Sequence, residues 1–243
     1  TWAMRSLLIE DGDRLMLIDT GIGDKQSEKF LRHFYLHGED SLDSSLARYG
    51  FRKEDITDVF LTHLHHDHCG GCIIYDPSKE HLIPAFPNAT YWSNEDHWNW
   101  ATNPNPRERA SFLKENILPI QESGQLKFLA EGDLFYPDID VLWVHGHTEA
   151  QILPQIKIDG KTLAFMGDLI PSTGHLPIPY VMGYDVRPLL TLDEKSKFLL
   201  QAVEEDYFLF FQHDGVNELC TVRKTEKGVR LKEVLKFEDV FGV

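Results

Sequence analysis

The chain has 243 residues, of which 42% are hydrophobic, and a formal net charge of −15. This length suits one large domain or two small ones with a sizeable core. The acidic charge disfavours nucleic acid as a partner, and without a run of about 18 apolar residues no membrane span is predicted. The odd number of cysteines argues against a disulfide scaffold, and we interpret Cys69, Cys72 and Cys220 as structural.

Apolar runs bounded by turn residues predict the strands. They cover residues 5–10, 15–18, 56–62, 89–92, 126–129, 141–144, 152–158, 162–166 and 207–211. Amphipathic helices are predicted at residues 27–34, 42–49, 94–101, 107–116 and 191–205. Ser93 or Asn94 is the expected cap of the third helix, and Pro119 is expected to end the fourth. Residues 216–243 are expected to add strands and a short closing helix. The alternation favours a sheet sandwich with outer helices, in a single domain over residues 1–243.

Residues 62–71, THLHHDHCGG, place four histidines and an aspartate directly behind a predicted buried strand. Neutral imidazole and carboxylate groups are the ligands that Zn²⁺ and similar metals bind. His63 and His65 are two residues apart and can converge on one ion, whereas the adjacent Asp67 and His68 suggest a second ion. The two glycines let the backbone close tightly as a helix begins. A histidine-rich surface loop is the alternative, and the position behind a strand disfavours it.

This pattern resembles the HxHxDH motif of the metallo-β-lactamase fold superfamily. The resemblance extends along most of the chain, because residues 19–21 match that family's D-T-G turn. His147, Asp168 and His213 match its remaining ligand stations, in the same order. The resemblance implies an α/β fold, an αββα sandwich of two mixed β-sheets flanked by helices. We also expect Asp19 to brace the histidine-rich turn through hydrogen bonds.

The same resemblance implies a site for two divalent metal ions, with Zn²⁺ expected and Fe, Mn or Co as alternatives. One ion would be held by His63, His65 and His147. The second would be held by Asp67, His68 and His213, with Asp168 bridging the two ions. His145 lies two residues before His147 and is interpreted as a bystander.

Two such ions lie about 3.5–4 Å apart and lower the pKa of a shared water toward about 7. The metal-bound hydroxide that results would hydrolyse an ester, thioester, lactone, amide or phosphotriester. Asp67 and Asp168 are therefore expected to be catalytic. Related lactonases carry a tyrosine soon after the bridging aspartate, where this chain has Pro171. In those lactonases the tyrosine lies near the substrate carbonyl and acts as a hydrogen-bond donor. His175 is our candidate for the donor that replaces it, and Tyr180 and Tyr184 are the alternatives.

The layout most resembles N-acyl homoserine lactone lactonases and the related organophosphate hydrolases. The aspartate at position 168 counts against the antibiotic-hydrolysing members, which commonly carry a cysteine there. Our hypothesis is a dinuclear hydrolase that opens an acyl homoserine lactone-type ring. A phosphotriesterase or a glyoxalase II-like thioesterase is the alternative within the fold. A persulfide dioxygenase would need a single iron, and a non-catalytic binding domain is disfavoured because no ligand station is missing.

Three tryptophans near the breaker-rich residues 102–106 suggest a lid over an apolar pocket. They are Trp92, Trp98 and Trp100, and their alternative role is to pack a helix onto the sheet. The expected partner is a small-molecule ester or lactone, and a homodimer is compatible with the sequence. A cytoplasmic location is expected, although the start at Thr1 leaves an upstream segment open.

Overall fold

The structure is a computed structural model that describes residues 1–242. It divides into two units. We call residues 6–129 the N-terminal unit and residues 1–5 with 130–242 the C-terminal unit. Each unit combines helices with a mixed sheet, so the predicted α/β class is confirmed. The organisation of residues 1–243 as a single domain stays a prediction.

The N-terminal unit is built around a sheet with the order β1-β2-β3-β6-β7. Its strands are β1 (Leu7–Asp11), β2 (Arg14–Ile18), β3 (Asp58–Phe60), β4 (Ile73–Tyr75), β5 (Leu82–Pro84), β6 (Thr90–Asn94) and β7 (Leu126–Leu129). Its helices are α1 (Glu28–Leu31), α2 (Leu42–Arg48), α3 (His66–Cys69), α4 (Glu95–Thr102) and α5 (Lys114–Glu122). β1 and β2 form an antiparallel hairpin, whereas β2, β3, β6 and β7 pair in parallel. The carboxyl ends of β2 and β3 therefore meet at one edge, where Asp19 and the histidine-rich turn follow.

Two predicted helices of this unit have different bounds in the structure. α1 covers Glu28–Leu31 instead of residues 27–34. α5 begins at Lys114 instead of residue 107, because the Asn105 side chain accepts from the backbone N–H groups of Arg107 and Glu108 and holds that stretch in turns. Pro119 lies inside α5 instead of ending it, and its missing N–H removes one bond of the helix ladder. The β4–β5 ribbon was not predicted.

The C-terminal unit has the sheet order β13-β12-β11-β10-β9-β8. Its strands are β8 (Ile139–Val144), β9 (Gln151–Ile158), β10 (Lys161–Phe165), β11 (Phe208–Phe210), β12 (Leu219–Thr225) and β13 (Gly228–Leu235). Its helices are α6 (Pro188–Glu204) and α7 (Phe237–Phe241). β10 and β11 are parallel and the other pairs are antiparallel. The apolar face of α6 packs into this unit's core through Phe198, Leu199 and Ala202.

The predicted pattern of strands is confirmed at most positions, with ends that shift by one or two residues. All three cysteines are free and buried, in agreement with their structural interpretation. Burial raises the pKa of the Cys72 thiol to about 12, so it is a poor nucleophile at neutral pH. Within residues 1–242, no helix combines the length and the apolar character that crossing a bilayer would demand.

Candidate metal centre

His63 and His65 lie in the buried turn that leaves β3. His63 Nε2 is 3.0 Å from His65 Nδ1, so these two nitrogens face each other. The Thr62 hydroxyl donates to Asp19 at 2.7 Å, which leaves its oxygen to accept from the Nδ1–H of His63 at 3.1 Å. His65 Nε2 lies 3.5 Å from the buried carboxylate of Glu108. We assign the proton of each ring to the outer nitrogen, which turns a lone pair of each ring inward.

Asp67 and His68 lie on α3, for which His65 is the N-terminal flanking residue. Asp67 Oδ1 is 3.9 Å from His68 Nε2. The other ring nitrogen of His68 donates to Asp19 Oδ2 at 2.8 Å. Asp19 is fully buried and also accepts from the Thr62 backbone N–H at 2.8 Å. Asp19 therefore braces the histidine-rich turn, as the sequence predicts.

The glycines of the motif allow close packing at the start of a short helix. α3 ends at Cys69 and a single 3-10 turn over Gly70–Cys72 follows it, so a helical turn begins at the glycines, as predicted. A Cβ atom on Gly70 would overlap the backbone carbonyl of Ile22, and one on Gly71 would overlap that of Thr20. The turn that follows β2 can lie against the end of α3 only because both positions lack a side chain.

Residues 103–113 cover the histidine-rich turn from within the N-terminal unit. The backbone carbonyl of Ser111 accepts from His66 N–H at 2.9 Å, and the Phe112 ring lies 4.7 Å from the His65 ring. Glu108 accepts from the Trp100 indole at 2.7 Å. The carboxylate that faces His65 is thus held in place by an indole, which fixes the orientation of both groups.

The three tryptophans expected to line a pocket take part in the packing of this unit. Trp98 is buried in its core. The indole of Trp92 donates to Asp58 at 2.8 Å, and that of Trp100 donates to Glu108. These contacts favour the alternative role, in which the tryptophans pack α4 and its neighbours onto the sheet.

Asp168 is the centre of the ligand group in the C-terminal unit. Its Oδ2 is 3.0 Å from His147 Nε2, and its Oδ1 is 3.0 Å from His213 Nε2. The parallel register that pairs Phe165 with Phe210 brings the ends of β10 and β11 together, so Asp168 and His213 emerge side by side. A carboxylate that offers each oxygen to a different histidine has the geometry of a bridging ligand.

The outer nitrogens of these two histidines also have partners. His147 Nδ1 donates to Asp185 Oδ1 at 2.9 Å, and both side chains are buried. His213 Nδ1 donates to the backbone carbonyl of Ala3 at 2.9 Å. Burial alone would lower the pKa of His147, but the carboxylates of Asp168 and Asp185 outweigh burial and raise it to about 9. The surroundings of this ring therefore stabilise a positive charge.

α6 holds the loop that carries His147. Glu194 accepts from the backbone N–H groups of His145 and Gly146 at 2.7 and 3.0 Å. A Cβ atom on Gly146 would overlap Thr191, so only glycine permits this approach. The His145 ring hydrogen-bonds Glu149 at 2.7 Å instead of Asp168, which agrees with its interpretation as a bystander.

His175 lies in a single 3-10 turn of the C-terminal unit. Its Nδ1 is 2.8 Å from the hydroxyl of Ser172, and its ring is 6.3 Å from the half-exposed Trp2 indole. The same indole lies 5.0 Å from the His213 ring. Burial and the cation of Lys195 lower the pKa of His175, against the opposing charge of Asp168. Tyr180 and Tyr184 are 60% and 70% exposed, and the choice of His175 among the three candidate donors stays a prediction.

The donor set of each unit fits a borderline divalent metal. Within each unit the candidate ligand atoms lie within 4.8 Å of one another, for His63 with His65, Asp67 with His68, and His147 with Asp168. Every one of these histidines has one nitrogen turned to an outer partner and the other turned to a fellow ligand. Imidazoles fixed in this way are prepared for metal binding. Sequence reasoning missed the outer partners Glu108, Asp185 and the Ala3 carbonyl, which have no local motif.

Residues 5–213 match the sequence model of the metallo-beta-lactamase superfamily. The chain belongs to this superfamily. Its curated relatives include an N-acyl homoserine lactonase of Bacillus cereus, which is 24% identical over 85% of this chain and 79% of the relative. A Bacillus thuringiensis lactonase is 23% identical with the same coverage.

Solved structures show the same fold. A probable metal-dependent hydrolase from Staphylococcus aureus superposes with a TM-score of 0.85 and 27% identity, over 98% of this chain and 83% of that one. AidC, a dizinc quorum-quenching lactonase solved with a product, superposes with a TM-score of 0.78 and 24% identity, over 97% and 81% of the two chains. This superfamily member is a metal-dependent hydrolase, as the sequence predicts.

Proposed function

We propose that the protein is a dinuclear metal hydrolase that opens a lactone ring of the acyl homoserine lactone type. The observation that carries the proposal is the Asp168 carboxylate, which offers one oxygen to His147 and the other to His213 at 3.0 Å each. The lactone as substrate is supported by the N-acyl homoserine lactonase relatives, which match over 85% of this chain.

The proposed ligand set is the one that the family resemblance implies. His63, His65 and His147 would hold one ion, and Asp67, His68 and His213 the other, with Asp168 shared. Nitrogen-rich donors with carboxylates suit Zn²⁺, which we take as the native metal, with Fe, Mn or Co as alternatives. When bound, the ions supply an activated water and a Lewis acid for the substrate carbonyl.

The chain's own residues order the reaction around that chemistry. Asp67 has a side chain that is 33% exposed, and we assign it the hydrogen bond that orients the attacking water. Water adds its oxygen to the carbonyl carbon, and the bond from that carbon to the ring oxygen breaks. The ring oxygen leaves with the electron pair and takes a proton that derives from the water. The product is the open hydroxy acid.

His175 takes the place of the tyrosine donor in this proposal. The Ser172 hydroxyl lies 2.8 Å from His175 Nδ1, and we assign the hydroxyl as the donor, which would place the ring proton on Nε2, available to the leaving oxygen. The lowered pKa of His175 keeps this ring neutral at neutral pH, so it acts as a hydrogen-bond donor and not as an imidazolium. A neutral, oriented donor stabilises charge that develops on the ring oxygen.

The test is a comparison of purified, zinc-loaded protein on three substrates, namely an acyl homoserine lactone, a paraoxon-type phosphotriester and S-lactoylglutathione. We expect the highest kcat/KM for the lactone. Ring opening is measured as the acid that it forms. Strong triesterase turnover without ring opening would contradict the lactonase and support a phosphotriesterase. Preference for the thioester would support a glyoxalase II-like enzyme. A homodimer and a cytoplasmic location stay predictions.

A further inference from the structure

Lys195 is a fully buried lysine in the middle of α6. Its Nζ donates to the backbone carbonyls of His175, Pro177 and Tyr180 at 2.9, 3.1 and 2.6 Å. An ammonium group has three protons, and three acceptors surround this one. Burying a cation is unfavourable unless its hydrogen bonds are satisfied, so this arrangement defines where the three carbonyls lie.

The same loop is held from its other end by Asp214. That carboxylate accepts from the backbone N–H of Thr173 at 2.9 Å and from the Thr173 hydroxyl at 2.7 Å. Residues 173–180 are thus fixed by an anion at one end and a cation at the other. His175 lies between them, and its own carbonyl is one of the three acceptors of Lys195.

Apolar packing could also hold a surface loop, but it would not set the direction of each carbonyl. Hydrogen bonds from one ammonium group to three carbonyls set the path of the backbone, and therefore the direction of the His175 ring. The Lys195 cation also acts on the ring itself, because after burial it is the strongest influence that lowers the pKa of His175. Both effects keep a neutral imidazole with a defined donor nitrogen.

We infer that Lys195 is a positioning residue that fixes His175 as the donor to the leaving oxygen. The inference rests on the proposed function, because it assumes that His175 assists departure of an alkoxide. It predicts that removal of Lys195 harms reactions with a poor leaving group and spares those with a good one, because an aryl oxide such as p-nitrophenolate leaves without a donor.

The test compares two zinc-loaded variants with wild type on an alkyl ester and a p-nitrophenyl ester that share one acyl group. The variants are Lys195→Met and the matched control Lys197→Met, which changes an exposed lysine on the same helix. We expect Lys195→Met to lower kcat on the alkyl ester at least tenfold more than on the p-nitrophenyl ester, with wild-type metal content. Lys197→Met should match wild type on both. Equal losses of Lys195→Met on both esters would show a merely structural role and overturn the inference.

A double-mutant cycle of Lys195→Met with His175→Ala separates the positioning role of Lys195 from the donor role of His175. His175→Ala should show the same leaving-group dependence, and the double variant should be no worse than His175→Ala alone. Additive losses would overturn the Lys195 inference and leave the donor role of His175 standing. An unselective loss in His175→Ala would overturn both. If Lys195→Met does not fold, Lys195→Gln takes its place, because it keeps a short amide donor. It is judged by the same ratio, the loss of kcat on the alkyl ester relative to that on the p-nitrophenyl ester.

Discussion

Replacement of Asp185 tests how this chain prepares a histidine for metal binding. The Asp185 carboxylate accepts from His147 Nδ1 at 2.9 Å, and both side chains are at most 2% exposed. Asp185→Ala removes an acceptor from a buried N–H group, which costs about 1–3 kcal/mol. Loss of an outer partner typically weakens metal binding about 10–100-fold, or about 1.4–2.8 kcal/mol. The first estimate applies to the stability of the folded protein and the second to zinc binding, so we expect zinc affinity to fall about 10–100-fold.

The assay is competition for zinc with a chromophoric chelator at neutral pH, together with a urea titration that reports folding. Asp185→Asn keeps an acceptor but loses the charge, so its affinity should fall between those of wild type and Asp185→Ala. Asp140→Ala is the matched control, because that carboxylate is 56% exposed and pairs with Lys157 at 2.8 Å. Wild-type zinc affinity in a folded Asp185→Ala protein would refute the reasoning.

Three further predictions concern the ligands and their supports. Asp168→Ala should lose metal and lower kcat/KM on the order of 10³-fold, whereas His145→Ala should keep both, and equal effects in metal analysis and kinetics would overturn the ligand choice. Burial would raise the pKa of Asp214, but hydrogen bonds from its neighbours hold that pKa well below its usual 3.8. The stabilisation by the Asp214 carboxylate is therefore present above pH 3.8 and lost at lower pH. The difference in unfolding free energy between wild type and Asp214→Asn should shrink when metal-free protein is acidified. A difference that stays constant with pH would contradict this. Gly70→Ala forces a Cβ atom onto a backbone carbonyl and should lower both Tm and metal content, whereas Gly183→Ala, which meets open space, should change neither.

The histidine-rich turn could be predicted because its information is local. Residues 63–68 contain four histidines and an aspartate directly behind an apolar run. A bound cation is the simplest physical explanation for ligand-type residues crowded in this way. His147 and His213 were predicted only through the family resemblance, because a lone histidine at a strand end has no signature of its own. The structure supplies what the resemblance lacks, namely the outer hydrogen-bond partner of each ring.

The supporting residues could not be predicted, because their partners are distant in sequence. Asp185 follows a glycine and a tyrosine and has the pattern of an ordinary turn residue, yet it hydrogen-bonds His147, 38 positions earlier. Lys195 lies among the polar residues of a predicted amphipathic helix, which favours an exposed position. It is buried because residues 175–180 place three carbonyls over that part of α6. The hydrophobic periodicity of a sequence predicts which face of a helix is apolar, but it does not show which loop covers the polar face.

The same limit explains the misplaced start of α5. Residues 107–113 have helical composition, but the Asn105 side chain captures two backbone N–H groups and keeps the stretch in turns. Those turns bring Glu108 to His65, so the departure from the predicted helix coincides with a contact that orients a ligand.

Anomalous diffraction from zinc-loaded crystals tests the central claim most directly. We expect two zinc peaks per chain, one bound by His63, His65 and His147 and the other by Asp67, His68 and His213. Asp168 should contribute one oxygen to each. A single peak, or zinc bound away from Asp168, would contradict it.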